Sequence, residues 1–194
     1  MSEDGLVKLI IGAVLNLIPI VNLLSAGYLI ELMSNSIQGR EEMPAWEDWG
    51  GKFIKGLLVA VITFIYMFIP FVIMMMGGGM ALFYRSGFSL LAIIGMLLGL
   101  VAWFIIPMAL AHFAASGSFG SAFDFGSIIS RITGSLGSYL AAYLLSIAMI
   151  FVLMIISMIP ILGWIIGLLG GFYIGCVMFF IFGEVYRAGG TDAV

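Results

Sequence analysis

Charge is what this chain lacks most. Between Arg131 and Glu184 there is no Asp, Glu, Lys, Arg or His at all. Only 9% of the residues are charged and 63% are hydrophobic, against roughly 25% charged in ordinary soluble domains. A soluble helix needs one wet face, and a run this long without ionisable groups cannot supply it. The scarcity of basic residues, with a net charge of −3 and no basic stripe, excludes a nucleic-acid partner. A single cysteine, Cys176, excludes an internal disulfide and reads as a small buried residue. A single histidine, His112, excludes a histidine-cluster metal site. No HExxH, CxxC, GxSxG or P-loop pattern is present. No cofactor is expected, and no nucleophile, base and orienting acid can be assembled, so the sequence predicts a protein that is not an enzyme. The acidic start, Met-Ser-Glu-Asp-Gly, predicts no cleaved signal peptide.

What remains is oil. A bilayer-spanning helix takes about 20 mainly apolar residues, and apolar blocks fall at about residues 6–33, 57–84, 89–115, 138–159 and 161–183. The charge-free stretch is long enough for two crossings, with the turn at residues 157–163 around Pro160. The predicted fold is therefore a single all-α integral membrane domain over residues 1–194, a polytopic bundle with the bilayer as its solvent. Pro70 and Pro107 fall inside blocks and predict kinks whose freed carbonyls must find other donors.

The first block is long for one crossing and is interrupted by Asn16, Pro19 and Asn22. Its Leu-Ile-Pro-Ile-Val echoes the Met-Ile-Pro-Ile-Leu of the later turn. The bundle thus has five spanning helices, or four spans and a first hairpin broken at Pro19. The positive-inside rule favours the broken form, which gathers Lys8, Arg40, Lys52, Lys55, Arg131 and Arg187 on one face against Arg85 on the other. Both forms place the 34–56 loop and the C-terminus in the cytoplasm.

Two segments share a plan, predicting an internal repeat over about 22–84 and 89–159 with a closing helix at 161–187. Trp46, Asp48, Trp49 and Gly50 precede Phe53 and Lys55; Phe123, Asp124, Phe125 and Gly126 precede Ile129 and Arg131. Each reads as an amphipathic elbow at the membrane interface. Asp48 and Asp124 suit helix N-caps, and Trp46 and Trp49 suit the headgroup level. In the second elbow Phe125, Ile128, Ile129 and Ile132 form one apolar face.

These residues, together with Gly27-Tyr28-Leu29-Ile30-Glu31 and Ile37-Gln38-Gly39-Arg40-Glu41, resemble the prokaryotic, often archaeal, membrane family known as domain of unknown function 4013. The resemblance implies this fold and a cytoplasmic membrane, and implies no activity.

Gly163, Gly167, Gly171 and Gly175 recur every fourth residue and predict a close-packing ladder on the last helix, with Gly95 and Gly99 as a shorter pair. Leucine at Gly167 or Gly171 is expected to disrupt folding or assembly. Ionisable groups at membrane depth are functional candidates by default. Glu31, His112 and Glu184 are the three, with Arg187 one turn beyond Glu184. The partners expected are the lipid bilayer and either another membrane protein or a second copy of the chain. Two functions fit: a non-enzymatic scaffold, lipid-organising protein or subunit of a complex, or a small-solute or ion transporter whose path uses Asn16 and Asn22.

Overall fold

A computed structural model describes residues 3–84, 89–159 and 162–191. Arg85 and the Pro160-Ile161 pair of the last turn lie outside the described residues. Within them the chain forms seven α-helices, a short 3-10 turn and no strand. In order these are α1 (Glu3–Asn16), α2 (Asn22–Ile37), α3 (Trp49–Tyr84), α4 (Leu90–Ser116), the 3-10 turn (Phe119–Phe123), α5 (Phe125–Gly134), α6 (Leu136–Ser157) and α7 (Leu162–Thr191). Four stretches are long and apolar enough to cross a bilayer: Trp49–Gly78, Leu90–Ser116, Leu136–Ser157 and Gly163–Gly190. Their outward faces carry Phe64, Phe68, Ile69, Leu97, Leu144, Phe151 and Met154, all exposed. A surface of this kind is solvated by acyl chains.

The first apolar block is two helices, not a fifth span. Proline lacks the N–H that a helix interior requires, and it disfavours the helical conformation in the residue before it. The chain turns there, with Ile20 at φ 73° and Asn22 N–H donating to the Ile18 carbonyl at 2.9 Å. Ser25 then ties the hairpin together by donating to the Gly12 carbonyl at 3.0 Å. At 1.5 Å per residue α2 is only about 24 Å long. Both arms return to the same end of the bundle, where Lys8 of α1 donates to the Met43 carbonyl at 2.9 Å. The tip between them is apolar, with Leu17, Ile18 and Ile20 exposed. Asn16 and Asn22 sit beside that tip and are exposed as well.

Pro107 does not break α4. Its missing donor frees the Trp103 carbonyl, one helical turn back, and a side chain from α6 takes its place. The Tyr143 hydroxyl lies 2.8 Å from the Trp103 oxygen and 3.0 Å from that of Phe104, while Tyr139 donates to Phe104. These tyrosines and Phe182 of α7 form the aromatic centre of the larger core. Tyr143→Phe is expected to keep the fold and lose about 1 kcal/mol, the usual scale of a helix-to-helix hydrogen bond in a membrane. Thermal unfolding in detergent measures it; an unchanged midpoint would remove the hydroxyl's role.

Close helix contacts fall at Gly163 and Gly167 of the expected ladder, where a Cβ would lie 2.4 Å from the Ser157 carbonyl oxygen and 2.9 Å from its hydroxyl, and at glycines outside the ladder. A Cβ on Gly27 would lie 1.8 Å from the Lys52 carbonyl oxygen, and one on Gly56 1.8 Å from that of Leu23, so α2 and α3 touch backbone to backbone. Gly95 behaves as expected: its Cβ would lie 2.5 Å from the Met74 nitrogen, and Gly77 packs α3 on α4 in the same way. Gly99 has only a loose contact, 3.7 Å from Pro70.

Along α7 the ladder does not hold one neighbour. Gly163 and Gly167 face Ser157, Gly175 faces Leu29, and Gly171 has nothing within 4 Å. The reason is geometric. Four residues advance the helix by a little more than one turn, so a stripe of every fourth residue drifts by about 40° per step. Over the length of the ladder it winds away from any single straight neighbour. Gly183 provides the close contact of α7 with α2, its Cβ position lying 2.8 Å from the Met33 oxygen.

Candidate functional site at the charged end of the bundle

The returning hairpin, the 38–48 segment, the start of α3, the end of α4, α5 and the end of α7 all meet at one end. Two polar clusters form there. They share no side chain.

In the first, Lys52 is 2% exposed and its Nζ lies 2.6 Å from Glu31 Oε2. Lys55 approaches the same oxygen at 3.9 Å from a more exposed position. The 38–48 segment folds back against α1 and α2. Trp46 stacks on Tyr28 with ring centroids 4.4 Å apart, and its indole Nε1 donates to the Lys8 carbonyl at 3.0 Å. Trp46 is thus packed into a small core with Ala13, Leu32, Phe172 and Cys176. Only Trp49 keeps the exposed position that suits a headgroup anchor. Tyr28 is fully buried, and its hydroxyl has no hydrogen-bond partner among the described residues. Asp48 caps α3 as the spacing predicts, accepting from Gly51 N–H at 3.1 Å.

The second cluster joins groups that the sequence shows only separately. Asp124 accepts from the backbone N–H of Ser127 at 3.2 Å and from its hydroxyl at 2.6 Å. Both bonds hold its carboxyl below the ordinary carboxylate range. As the cap of α5 it fixes the helix start beside the end of α4, and Asp124 Oδ2 comes to 4.0 Å from His112 Nε2. The other ring nitrogen of His112 shares a 2.6 Å hydrogen bond with the Tyr186 hydroxyl. The Arg131 guanidinium lies over the Tyr186 ring, its Cζ 3.9 Å from the centroid, and donates to the Tyr186 carbonyl at 3.0 Å. A cavity of about 350 Å³ opens between these groups and the Gly189-Gly190 end of α7.

The apolar face of α5 is divided. Ile128 and Ile132 are buried in the bundle, while Phe125 and Ile129 are each 50% exposed on its outer flank. Phe123 stacks on Tyr66 at 5.7 Å, whose hydroxyl donates to the Ala122 carbonyl at 2.6 Å. Glu184 pairs with Arg187 at 2.5 Å and accepts from the Ser36 hydroxyl at 3.1 Å. Each of the three intramembrane candidates therefore has a named partner close to a helix end. Among the described residues no group of three or more His, Cys, Asp and Glu side chains could hold a metal ion.

Lys52, Tyr28, Tyr186 and Arg131 complete these two clusters, and Ser36 binds the Glu184–Arg187 pair; the sequence alone gives none of them a partner. Lys52 reads in sequence as one more loop charge. Its burial follows from Gly27, which brings the α2 backbone against Lys52 itself.

A protein family described as "Protein of unknown function (DUF4013)" matches residues 11–162. No curated protein and no solved structure matches the chain. The matched segment holds Glu31, Lys52, His112, Asp124 and Arg131, while Tyr186, Glu184 and the Gly189-Gly190 wall come from α7 beyond it. The chain belongs to this family of proteins of unknown function, DUF4013.

Proposed function

We propose that the protein is a non-enzymatic component of a prokaryotic cytoplasmic membrane, organising lipid or a partner protein at the cytoplasmic surface. One observation carries this reading: charged side chains from five helices collect at one end of an otherwise apolar bundle, beside a short helix whose Phe125 and Ile129 point outward. Lys8, Arg40, Lys52, Lys55, Arg131 and Arg187 belong to that end, and the positive-inside rule assigns it to the cytoplasm. A helix with an apolar flank and a polar face lies in the plane of the headgroups.

The repeat supports a paired surface. Asp48 and Asp124 both cap helices, Lys55 and Arg131 follow them at the same spacing, and the preceding helices α2 and α4 both reach α7, through Ser36 and His112. A transport path is the weaker reading, since Asn16 and Asn22 stand on the outside of the hairpin tip.

Purification in a gentle detergent, with mass spectrometry of what stays bound, tests the proposal. A retained lipid class or membrane protein is the expected result. Solute flux in reconstituted vesicles that vanishes in Asn22→Leu would overturn it in favour of transport.

A further inference from the structure

We propose that the cavity between α4, α5 and the end of α7 binds a phosphate group. Arg131 is the centre of the argument. Its contact with the Tyr186 ring and its bond to the Tyr186 carbonyl hold the guanidinium in place. That bond uses one of its five N–H donors, and the Arg131 side chain lines the cavity. Lys52 and Lys55 share Glu31, and Arg187 has Glu184, while Lys8 and Arg40 donate to neutral oxygens away from this cavity. Among the described residues no carboxylate lies within salt-bridge distance of Arg131. A fixed guanidinium fork matches the oxygens of a phosphate.

The rest of the lining agrees. Ser130 adds a hydroxyl and His112 lines the same cavity, while the Ser127 hydroxyl is held by Asp124. Another wall is Gly189 and Gly190, where a side chain would press on Arg131 and Ser135. A Cβ on Gly190 would lie 2.6 Å from Arg131 Nη1, and one on Gly189 3.0 Å from the Ser135 hydroxyl. Among the described residues the one opposing charge is Asp124, which is held by Ser127 and by the start of α5. The equivalent region of the first repeat, lined by Glu31, Ser34 and Lys55, already contains its own anion.

The phosphate can belong to a lipid headgroup or be free in solution. Only the lipid source rests on the lipid-organising reading above. The test uses the full chain in two arms. In the first, nanodiscs of phosphatidylcholine with phosphatidylglycerol are followed by native mass spectrometry of the retained lipid. In the second, inorganic phosphate is titrated against the ring ¹⁵N signals of His112 in neutral detergent.

Ser130→Asp, on an exposed position, places a negative charge in the cavity without touching the core. It is expected to weaken binding at least about tenfold, the scale of one charge-assisted hydrogen bond. Arg131→Gln should do the same. Retained phosphatidylglycerol, lost in Ser130→Asp, supports a lipid phosphate. A His112 response to inorganic phosphate without lipid retention supports the site and overturns its lipid source. No response in either arm, or one equal in folded Ser130→Asp, overturns the site itself.

Discussion

Gly27→Leu is expected to give no folded protein. The position has no room for even a methyl group, because the nearest atom, 1.8 Å from where a Cβ would sit, is the Lys52 carbonyl oxygen. Backbone cannot move aside as a flexible side chain can. Gly56 makes the reciprocal contact with Leu23, so both sides of the α2–α3 crossing are closed to substitution. Overpacking in a core usually costs 1–3 kcal/mol; separating two helices along their whole contact should exceed about 3 kcal/mol. Gly171→Leu is the matched control, since nothing lies within 4 Å of its Cβ position, and its monomer should fold as the wild type does. Size-exclusion profiles and thermal unfolding in one detergent compare the two. A normal profile for Gly27→Leu would show that α2 does not pack on α3 in this register.

Glu31→Gln carries the second large effect, and it should be asymmetric with Lys52→Met. Removing one member of a buried ion pair strands the other. Without Glu31, the Lys52 ammonium is left 2% exposed among Tyr28 and its neighbours, a loss of about 3 kcal/mol. Without Lys52, Glu31 is still 31% exposed and keeps Lys55 at 3.9 Å, so the loss should be clearly smaller. The double variant Glu31→Leu with Lys52→Met removes both charges and should recover most of the stability. Denaturant midpoints for the three variants decide it. Equal, small losses in both single variants would mean that water reaches Lys52.

The class of fold was legible because it follows from a lack: a charge-free run has no soluble solution. The break at Pro19 was legible for two independent reasons, the echo with the later turn and the distribution of basic residues. Contacts between distant segments were not. Nothing in the sequence ties Tyr143 to the carbonyl that Pro107 frees, although proline announces that some donor is needed. A glycine period of four looks straight on paper and drifts on a helix, so Gly163 and Gly167 meet Ser157 while Gly175 meets Leu29, whereas Gly27 and Gly56 are isolated glycines whose weight comes only from the helix opposite. His112 and Asp124 were each visible as candidates, yet their meeting depends on the Gly117 turn (φ 69°) and the 3-10 turn that return α5 to the end of α4. Tyr186 carries no sequence signal beyond being an aromatic near a helix end.

The first hairpin enters and leaves at the same end of the bundle, and the gathering of polar groups there follows from it. Single cysteines at Gly5, Glu42, Ser118 and Ile159, in a Cys176→Ser background, can be probed in sealed vesicles with a membrane-impermeant maleimide. Gly5→Cys, Glu42→Cys and Ser118→Cys should label from one side and Ile159→Cys from the other. Labelling of Gly5→Cys from the side of Ile159→Cys would mean that the first block crosses the membrane as a single helix, and would contradict the structure described.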